Sequence, residues 1–544
     1  MKKEKIKSWL KNPHNLTFLA ILILAIIIRL YYFALTKNQP LWWDESDYLA
    51  YAKNLAGFNT SWIVTAKHNS LFPFLVAALF KIGFSEEIVK FFLEFIPSIL
   101  LIPLTYYILI EMYEDKRIAL ISSFLMAVLW PILFNSMRFH LGIPAMVFGF
   151  LAIYIFWKGF EKKDKIFKKI NPVWAISISI VFIILTYATR RGYFLFGTFF
   201  LIYMLLSVKW KVLIKDKFNW ISLGVAVVLL FLTEKIIFIS QVAELSQGYF
   251  HTNSPITALA LGVFPSYFTN INSPSLSILL YLFWAGLILL LINVFISLGH
   301  LKKLKTSSAR ADLFHLITII TTLGFFIFIL RPTINFGEPR WYFPLLLGTL
   351  VCISRSTVFI IDFIKKHNKH LALIVLIALI GFGGFYELQH ADLIIKNKIP
   401  TYQGTKDAGL FLKETSSQND LIITAPQPQV AYYSERRVIH PRDFANWTGE
   451  KETVPQDLFF QKLRENPEKK YLVISFSEPG YPLWMRRIEQ GQAGQPIWTI
   501  PFMDTLIDFS SGQQTVVESK TFEDITFTLI GIKQDIFVYR IDST

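Results

Sequence analysis

The stretch Leu16-Thr-Phe-Leu-Ala-Ile-Leu-Ile-Leu-Ala-Ile-Ile-Ile-Arg29-Leu-Tyr-Tyr-Phe33 is apolar throughout except for Thr17 and Arg29. At about 1.5 Å of rise per residue, a helix of this length nearly matches the roughly 30 Å of a bilayer's hydrocarbon, so it reads as a membrane span. Lys2, Lys3, Lys5, Lys7 and Lys11 precede it, as in a secretory signal, but no small-residue cleavage site follows, and a retained first helix is expected. The rest of the chain has the same character. Of 544 residues, 53% are hydrophobic and 17% charged, a balance that excludes an ordinary soluble globular protein. A net charge of +15 in such a chain bears on loop orientation rather than on a nucleic-acid partner, because cytoplasmic loops collect Lys and Arg. The lone cysteine, Cys352, excludes an intramolecular disulfide.

Runs of spanning length fall near 16–36, 88–112, 118–134, 141–157, 172–189, 193–208, 218–239, 276–298, 313–331, 341–361 and 369–386, about eleven in all. Alternate connections are basic: the N-terminus, Lys116-Arg117, Lys158 to Lys169, Lys209 to Lys217, Lys302 to Arg310 and Lys365 to Lys369. Those are expected in the cytoplasm, which puts 37–87, 135–140, 189–192, 234–275, 331–340 and everything after about Glu387 outside. The expected fold is a polytopic α-helical membrane protein with a cytoplasmic N-terminus. Residues 1–386 form its transmembrane domain, with amphipathic helices in the outer loop 37–87, and the plasma (inner) membrane is the expected location. Residues 71–83 and 256–264 are apolar but too short to span, and read as interfacial or re-entrant helices.

Beyond Tyr386 the pattern turns soluble. Asp420 to Thr424, Arg437 to His440, Tyr471 to Ser475 and Ile536 to Tyr539 are short β-type runs, with helical patterns near 404–416 and 453–465 between them. Residues 387–544 are therefore expected to form an extracytoplasmic α/β domain. No Gly-rich phosphate loop opens it, so a lid or an acceptor-docking module fits better than a second enzyme.

The outer connections hold a particular set of ionisable residues: Asp44, Glu45, Asp47, Lys67, His68, Arg138, His140, Arg190, Arg191, Glu234, Lys235, Arg331, Glu338 and Arg340. Each taken singly is well explained as a solvated or lipid-anchoring side chain. Together they offer more, because the short turns 135–140 and 189–192 hold arginines close to the bundle, where guanidinium groups can converge on one anion. Arg29 and Glu94 lie deeper, about two turns inside their spans, and are expected to pair and brace the site. On helical geometry Asp44, Asp47 and Tyr48 share a face while Glu45 points elsewhere. Asp44 or Asp47 capping a helix is one alternative, and a hard cation bound by Asp44, Glu45 and Asp47 another. The combination of one acidic turn with many cationic neighbours favours a base beside a phosphate clamp.

The order of these features resembles the GT-C glycosyltransferases of the protein-mannosyltransferase and aminoarabinose-transferase type. The resemblance rests on the basic N-terminus, Arg29-Leu-Tyr-Tyr closing the first span, and Trp43-Asp44-Glu45 followed by Tyr48 and Ala50. It continues in Leu71-Phe-Pro73 with Leu79-Phe80-Lys81, and in Arg340-Trp-Tyr342-Phe-Pro344, and it covers roughly residues 15 to 390. It implies an inverting transfer of a sugar from a polyprenyl monophosphate to a lipid, glycan or protein acceptor at the outer face. Asp44 would be the general base, with Glu45 as a substitute. Arg138, Arg190 or Arg191, Arg340 and Lys67 or His68 would face the donor phosphate. Asp47, Tyr48, Arg29, Glu94, Arg331 and Tyr342 would support the site or the acceptor. A basic or His residue ahead of a Pro pair is common in the family, and here that stretch is Lys67-His68-Asn69-Ser70, which leaves the choice between Lys67 and His68 open. A phosphate leaves as a stable anion under cationic stabilisation, so neither a second acid nor a metal or other cofactor is expected. Two other classes compete. One is an oligosaccharyl transferase or glycan ligase using a lipid diphosphate; the other is a transporter or flippase, whose charges would sit near the midplane in repeated halves.

Overall fold

The computed structural model describes residues 9–58, 60, 62, 70–238, 278–299, 307–330, 339–466 and 468–543. They form two compact units, Met1–Lys37 with Glu87–Asn397, and Asn38–Glu86 with Lys398–Thr544. The division differs from a cut at 386/387 in two ways. The last apolar helix, Lys369–Lys398, runs past Tyr386 because Glu387, His390, Ala391 and Ile395 are buried even though hydropathy falls there. Residues 38–86 group with the C-terminal segment instead of with the spans.

Among the described residues, eight helices are long and apolar enough to cross a membrane: Pro13–Thr36, Glu86–Tyr113, Gly142–Glu161, Pro172–Thr189, Lys217–Ile237, Ile278–Ser297, Pro339–Lys365 and Lys369–Lys398. They make the chain an integral membrane protein. Lys116–Val128 and Trp130–Ser136, bent by 50° at Leu129, form a ninth if counted as one span. The expected count of eleven is not confirmed among the described residues. Expected span 193–208 is helical but short, at Arg191–Ser207, and expected span 313–331 belongs to a helix that carries Arg310, Asp312 and His315 among its apolar residues. Of the two short outer helices, one is found at Leu71–Lys81, and 256–264 lies outside the described residues.

The first span starts where Asn12 accepts from the amide of His14 at 3.0 Å and Pro13 takes the first helical position, where its missing N–H costs nothing. Arg29 explains itself at the bend between Val128 and Trp130. Pro131 cannot donate to the carbonyl of Ala127, four residues back, and the Trp130 amide turns instead to Glu387 Oε2 at 3.2 Å, which frees the carbonyl of Met126. Arg29 caps both, at 3.0 Å to Ala127 O and 3.2 Å to Met126 O, and donates through Nε to Ser98 Oγ at 3.1 Å. One buried cation and one buried carboxylate thus satisfy the backbone groups that the proline releases. Arg29, expected to pair with Glu94, is instead bonded to Ser98 and to the carbonyls of Ala25, Ala127 and Met126, so it braces the kink.

In the second unit, strands β1 (Leu421–Ile423), β2 (Arg437–Ile439) and β3 (Lys470–Ser475) are the expected β-type runs, β1 lying parallel to both β2 and β3. Four strands, β4 (Arg487–Gln490), β5 (Pro496–Ile500), β6 (Thr505–Asp508) and β7 (Gln514–Thr515), form a separate antiparallel sheet. β8 (Ser519–Phe522), β9 (Ile525–Lys533) and β10 (Ile536–Ser543) extend the first sheet to the order β2-β1-β3-β10-β9-β8. β1 and β3 are buried on both faces, as their unbroken apolar runs require. The helix Trp43–Ala56 packs against Gln427–Ser434.

Candidate functional site

The candidate residues fall into both units, and each set has its own local logic. In the unit that holds residues 38–86, the helix Trp43–Ala56 opens with Asp44 and Glu45 in its first turn, where carboxylates complement the helix dipole. Glu45 is 1% exposed and accepts the amide of Trp42 at 3.1 Å, so its carboxylate serves as part of the cap. Ser46 Oγ turns back to Trp42 O at 2.7 Å. Asp47 accepts the Trp62 indole N–H at 2.7 Å. Asp44 is half-buried, between neighbours whose side chains are all anchored. Tyr48 is buried, edge-on to Phe72 at 6.2 Å, which makes it packing. Among the described residues no group of three or more His, Cys, Asp or Glu is arranged to hold a metal.

In the bundle unit, a cationic cluster forms where three connections meet. The turn after Trp130–Ser136 carries Arg138 and His140, both buried. Arg340 donates to His140 Nδ1 at 2.6 Å, and since a guanidinium has only donors, the imidazole must accept. Burial first, then Arg340, Arg138 and Arg190, hold His140 well below its ordinary pKa, so the ring is neutral. Tyr193 pins the same corner: its hydroxyl donates to Arg340 O at 2.8 Å, and the Arg190 guanidinium lies 5.2 Å from its ring. Gly142 makes this approach feasible, because a Cβ there would sit 3.0 Å from the Tyr193 hydroxyl and 3.2 Å from Phe343.

The structure separates residues that were alternatives in the sequence. Arg190 joins the cluster. Arg191, the next residue, stacks at 3.8 Å on Phe238, in a corner where the Tyr187 hydroxyl donates to Glu234 at 2.5 Å. Tyr342 is fully buried, its ring 4.4 Å from Phe326, and is core. Lys67, His68 and Arg331 lie outside the described residues. His140 was in the expected set of ionisable residues without a role of its own, and Tyr193 was not in it. His140 had a signal, standing two residues from Arg138 in a short turn, whereas Tyr193 had none beyond following Arg190.

No protein-family model matches the chain, and no curated protein matches it in sequence. Solved structures do. ArnT from Cupriavidus metallidurans in the apo state is 10% identical, over 95% of this chain and 97% of its own, with a TM-score of 0.59. The same protein bound to undecaprenyl phosphate gives 0.58 at 9% identity, over 96% and 97%. The oligosaccharyltransferase of Archaeoglobus fulgidus, tethered with an acceptor peptide, is 14% identical over 86% of this chain and 70% of its own, with a TM-score of 0.54. Arabinofuranosyltransferase AftD from Mycobacteria is 13% identical, with a TM-score of 0.50, and this chain spans 40% of it. All three are membrane glycosyltransferases of the GT-C superfamily, and at these identities what they share with this chain is the fold.

Proposed function

We propose that this chain is an inverting glycosyltransferase that moves a sugar from a polyprenyl monophosphate to a hydroxyl of a lipid, glycan or protein acceptor at the outer membrane face. Its N-terminus would lie in the cytoplasm and residues 398–544 outside. The observation that carries this reading is the convergence of Arg138, Arg190 and Arg340 on a neutral His140. Same-sign charge gathered around an uncharged acceptor suits an anion such as a phosphate. Undecaprenyl phosphate on ArnT and dolichol-phosphate on the Archaeoglobus fulgidus enzyme AglB support a lipid phosphate as that anion.

In the transfer, the acceptor oxygen attacks the anomeric carbon from the face opposite the phosphate. Asp44 takes the hydroxyl proton, the bond from the anomeric carbon to the phosphate oxygen breaks, and its electron pair leaves with the polyprenyl phosphate. Asp44 is preferred over Glu45 because Glu45 already holds the helix cap. The arginines stabilise the charge building on the phosphate, and His140 and Tyr193 aim Arg340. The oligosaccharyltransferase alternative rests on the shared fold. The match to ArnT along 97% of that chain, against 70%, favours the monophosphate reading.

The test is transfer of label from polyprenyl-phosphate sugars to membrane extract by the purified protein. Asp44→Asn should lower kcat at least ~1000-fold, about 4 kcal/mol, and EDTA should leave wild-type transfer intact. Survival of transfer in Asp44→Asn removes Asp44 as base, and loss under EDTA restored by a divalent cation removes the metal-free mechanism.

A further inference from the structure

In an open α/β sheet, ligands bind at the carboxyl ends of strands whose connections diverge. In the second unit that edge lies between β1, which leads away to β2, and β3 on its other side. The chain's own groups occupy it. The Tyr481 hydroxyl donates to Val473 O at 3.0 Å, accepts the Ser475 amide at 3.1 Å, and meets Thr424 Oγ1 at 3.0 Å. Three residues past β3, Glu478 is 3% exposed and accepts the Trp43 indole N–H at 2.8 Å.

Other grips hold the segment 38–86 along its length. Lys406 Nζ donates to Asn38 O at 2.6 Å and the Leu41 amide to the Tyr433 hydroxyl at 2.9 Å. Lys53 Nζ donates to Tyr432 O at 3.0 Å and to Glu435 at 2.8 Å. The Tyr432 hydroxyl closes the segment on Glu86 at 2.7 Å. Around Asp44, the neighbours Trp42, Glu45 and Ser46 bond to one another, which stiffens the turn without aiming it. Trp43 ties the turn's orientation to the sheet through a charge-assisted bond to a buried carboxylate.

We propose that Glu478 is a positioning residue for the transfer: through the Trp43 indole, the sheet of residues 398–544 fixes the direction of Asp44. This rests on Asp44 being the base, as in the function proposed above. A misplacement of about 1 Å of a reacting group costs on the order of 100-fold, which makes such a mount worth building.

The experiment uses the purified full-length protein with undecaprenyl-phosphate-linked radiolabelled sugars and membrane extract. Glu478→Ala and Trp43→Phe should each lower kcat at least ~10-fold with the donor KM within about twofold of wild type, and the double variant should be no worse than either. Glu478→Gln, which keeps an acceptor oxygen, should restore kcat to within about threefold. A second arm follows amide exchange: in Glu478→Ala, residues 42–48 should exchange at least ~10-fold faster while β3 and β10 keep wild-type rates. Wild-type kcat in Glu478→Ala, or unchanged exchange at 42–48, overturns the positioning role and leaves the transferase reading standing. Faster exchange throughout β3 and β10 overturns it too, by assigning Glu478 to the sheet's own stability. Should wild type transfer no label from any donor, the transferase reading falls, and local exchange at 42–48 then decides alone whether Glu478 mounts the turn.

Discussion

The two ends of the helical bundle treat charge in opposite ways. Three spans, Lys116–Ser136, Gly142–Glu161 and Pro339–Lys365, each have one end in the His140 cluster and the other end in a second charged layer. In that second layer cations meet carboxylates: Lys158 with Glu111 at 2.6 Å, Arg310 with Glu161 at 2.6 Å, Arg117 with Asp362 at 2.5 Å, and Arg355 with Asp312 at 3.0 Å. Asp312 is further held by the Tyr113 hydroxyl at 2.7 Å and Asn293 at 2.5 Å. In this layer the buried carboxylates Asp312 and Glu161 each have a guanidinium partner within the fold. At the other end three arginines face one neutral imidazole, an arrangement that concentrates positive charge where a phosphate would complete it. A pairwise layer locks helices, whereas a same-sign layer around a neutral acceptor suits the anion proposed above.

The largest expected effect attacks the binding end. Arg340→Ala should lower kcat/KM by roughly 100- to 1000-fold, about 3–4 kcal/mol, with the thermal midpoint within a few degrees of wild type. A large fall in the midpoint with modest loss of activity would place Arg340 among the structural charges and erase the contrast. The matching change at the other end is Arg355→Met, which leaves Asp312 buried beside Tyr113 and Asn293. It should cost about 3 kcal/mol of stability, read by thermal unfolding in detergent, with kcat/KM within about threefold. Adding Asp312→Asn should recover most of the loss, because the uncompensated charge goes with it.

Why one end was legible in the sequence and the other only in part follows from what fixes each position. Spans are written in composition, so the long ones were legible, whereas 118–134 reads as one uninterrupted span and its bend before Pro131 was not legible. Glu387 as the second half of that bend was not legible, because its partner Trp130 lies far away in sequence. The outer arginines were legible as a set, since they stand at helix ends. Their individual directions were not, since these depend on packing around Gly142 and Tyr193. In the other unit, β1, β2, β3 and β10 were legible from their apolar runs, whereas β4 is exposed along its whole length and carries no alternation to detect. The grouping of residues 38–86 with 398–544 depends on single side chains such as Lys53, Trp43 and Tyr432, which no local pattern announces.

The neutral state of His140 gives the contrast a pH signature. Its folded pKa is depressed, so at pH values below the ordinary 6.5 the unfolded chain takes up a proton that the folded chain refuses. The stability it contributes is complete above about pH 6.5 and falls as pH drops toward the folded value, at no more than about 1.4 kcal/mol per unit, or about 2 kcal/mol between pH 6.5 and 5. Thermal unfolding of wild type and His140→Asn across that range should show the difference in slope. Equal slopes would mean that His140 is charged in the fold, and that the cluster already holds an anion's worth of compensation.

The smallest effect is the sharpest, because it sets two adjacent arginines against each other. Arg190 ends its helix with an extended backbone, φ −144° and ψ 108°, and Arg191 begins a new turn, so the two side chains leave in different directions. The Arg190 guanidinium lies over the Tyr193 ring and its field acts on His140, while Arg191 lies on Phe238 near Glu234. Arg190→Ala should therefore cost about tenfold in kcat/KM, near 1.4 kcal/mol, and Arg191→Ala less than about threefold. If Arg191→Ala is the more damaging, the donor phosphate sits beside Phe238 instead of beside His140, and the same-sign cluster is an incidental meeting of helix ends.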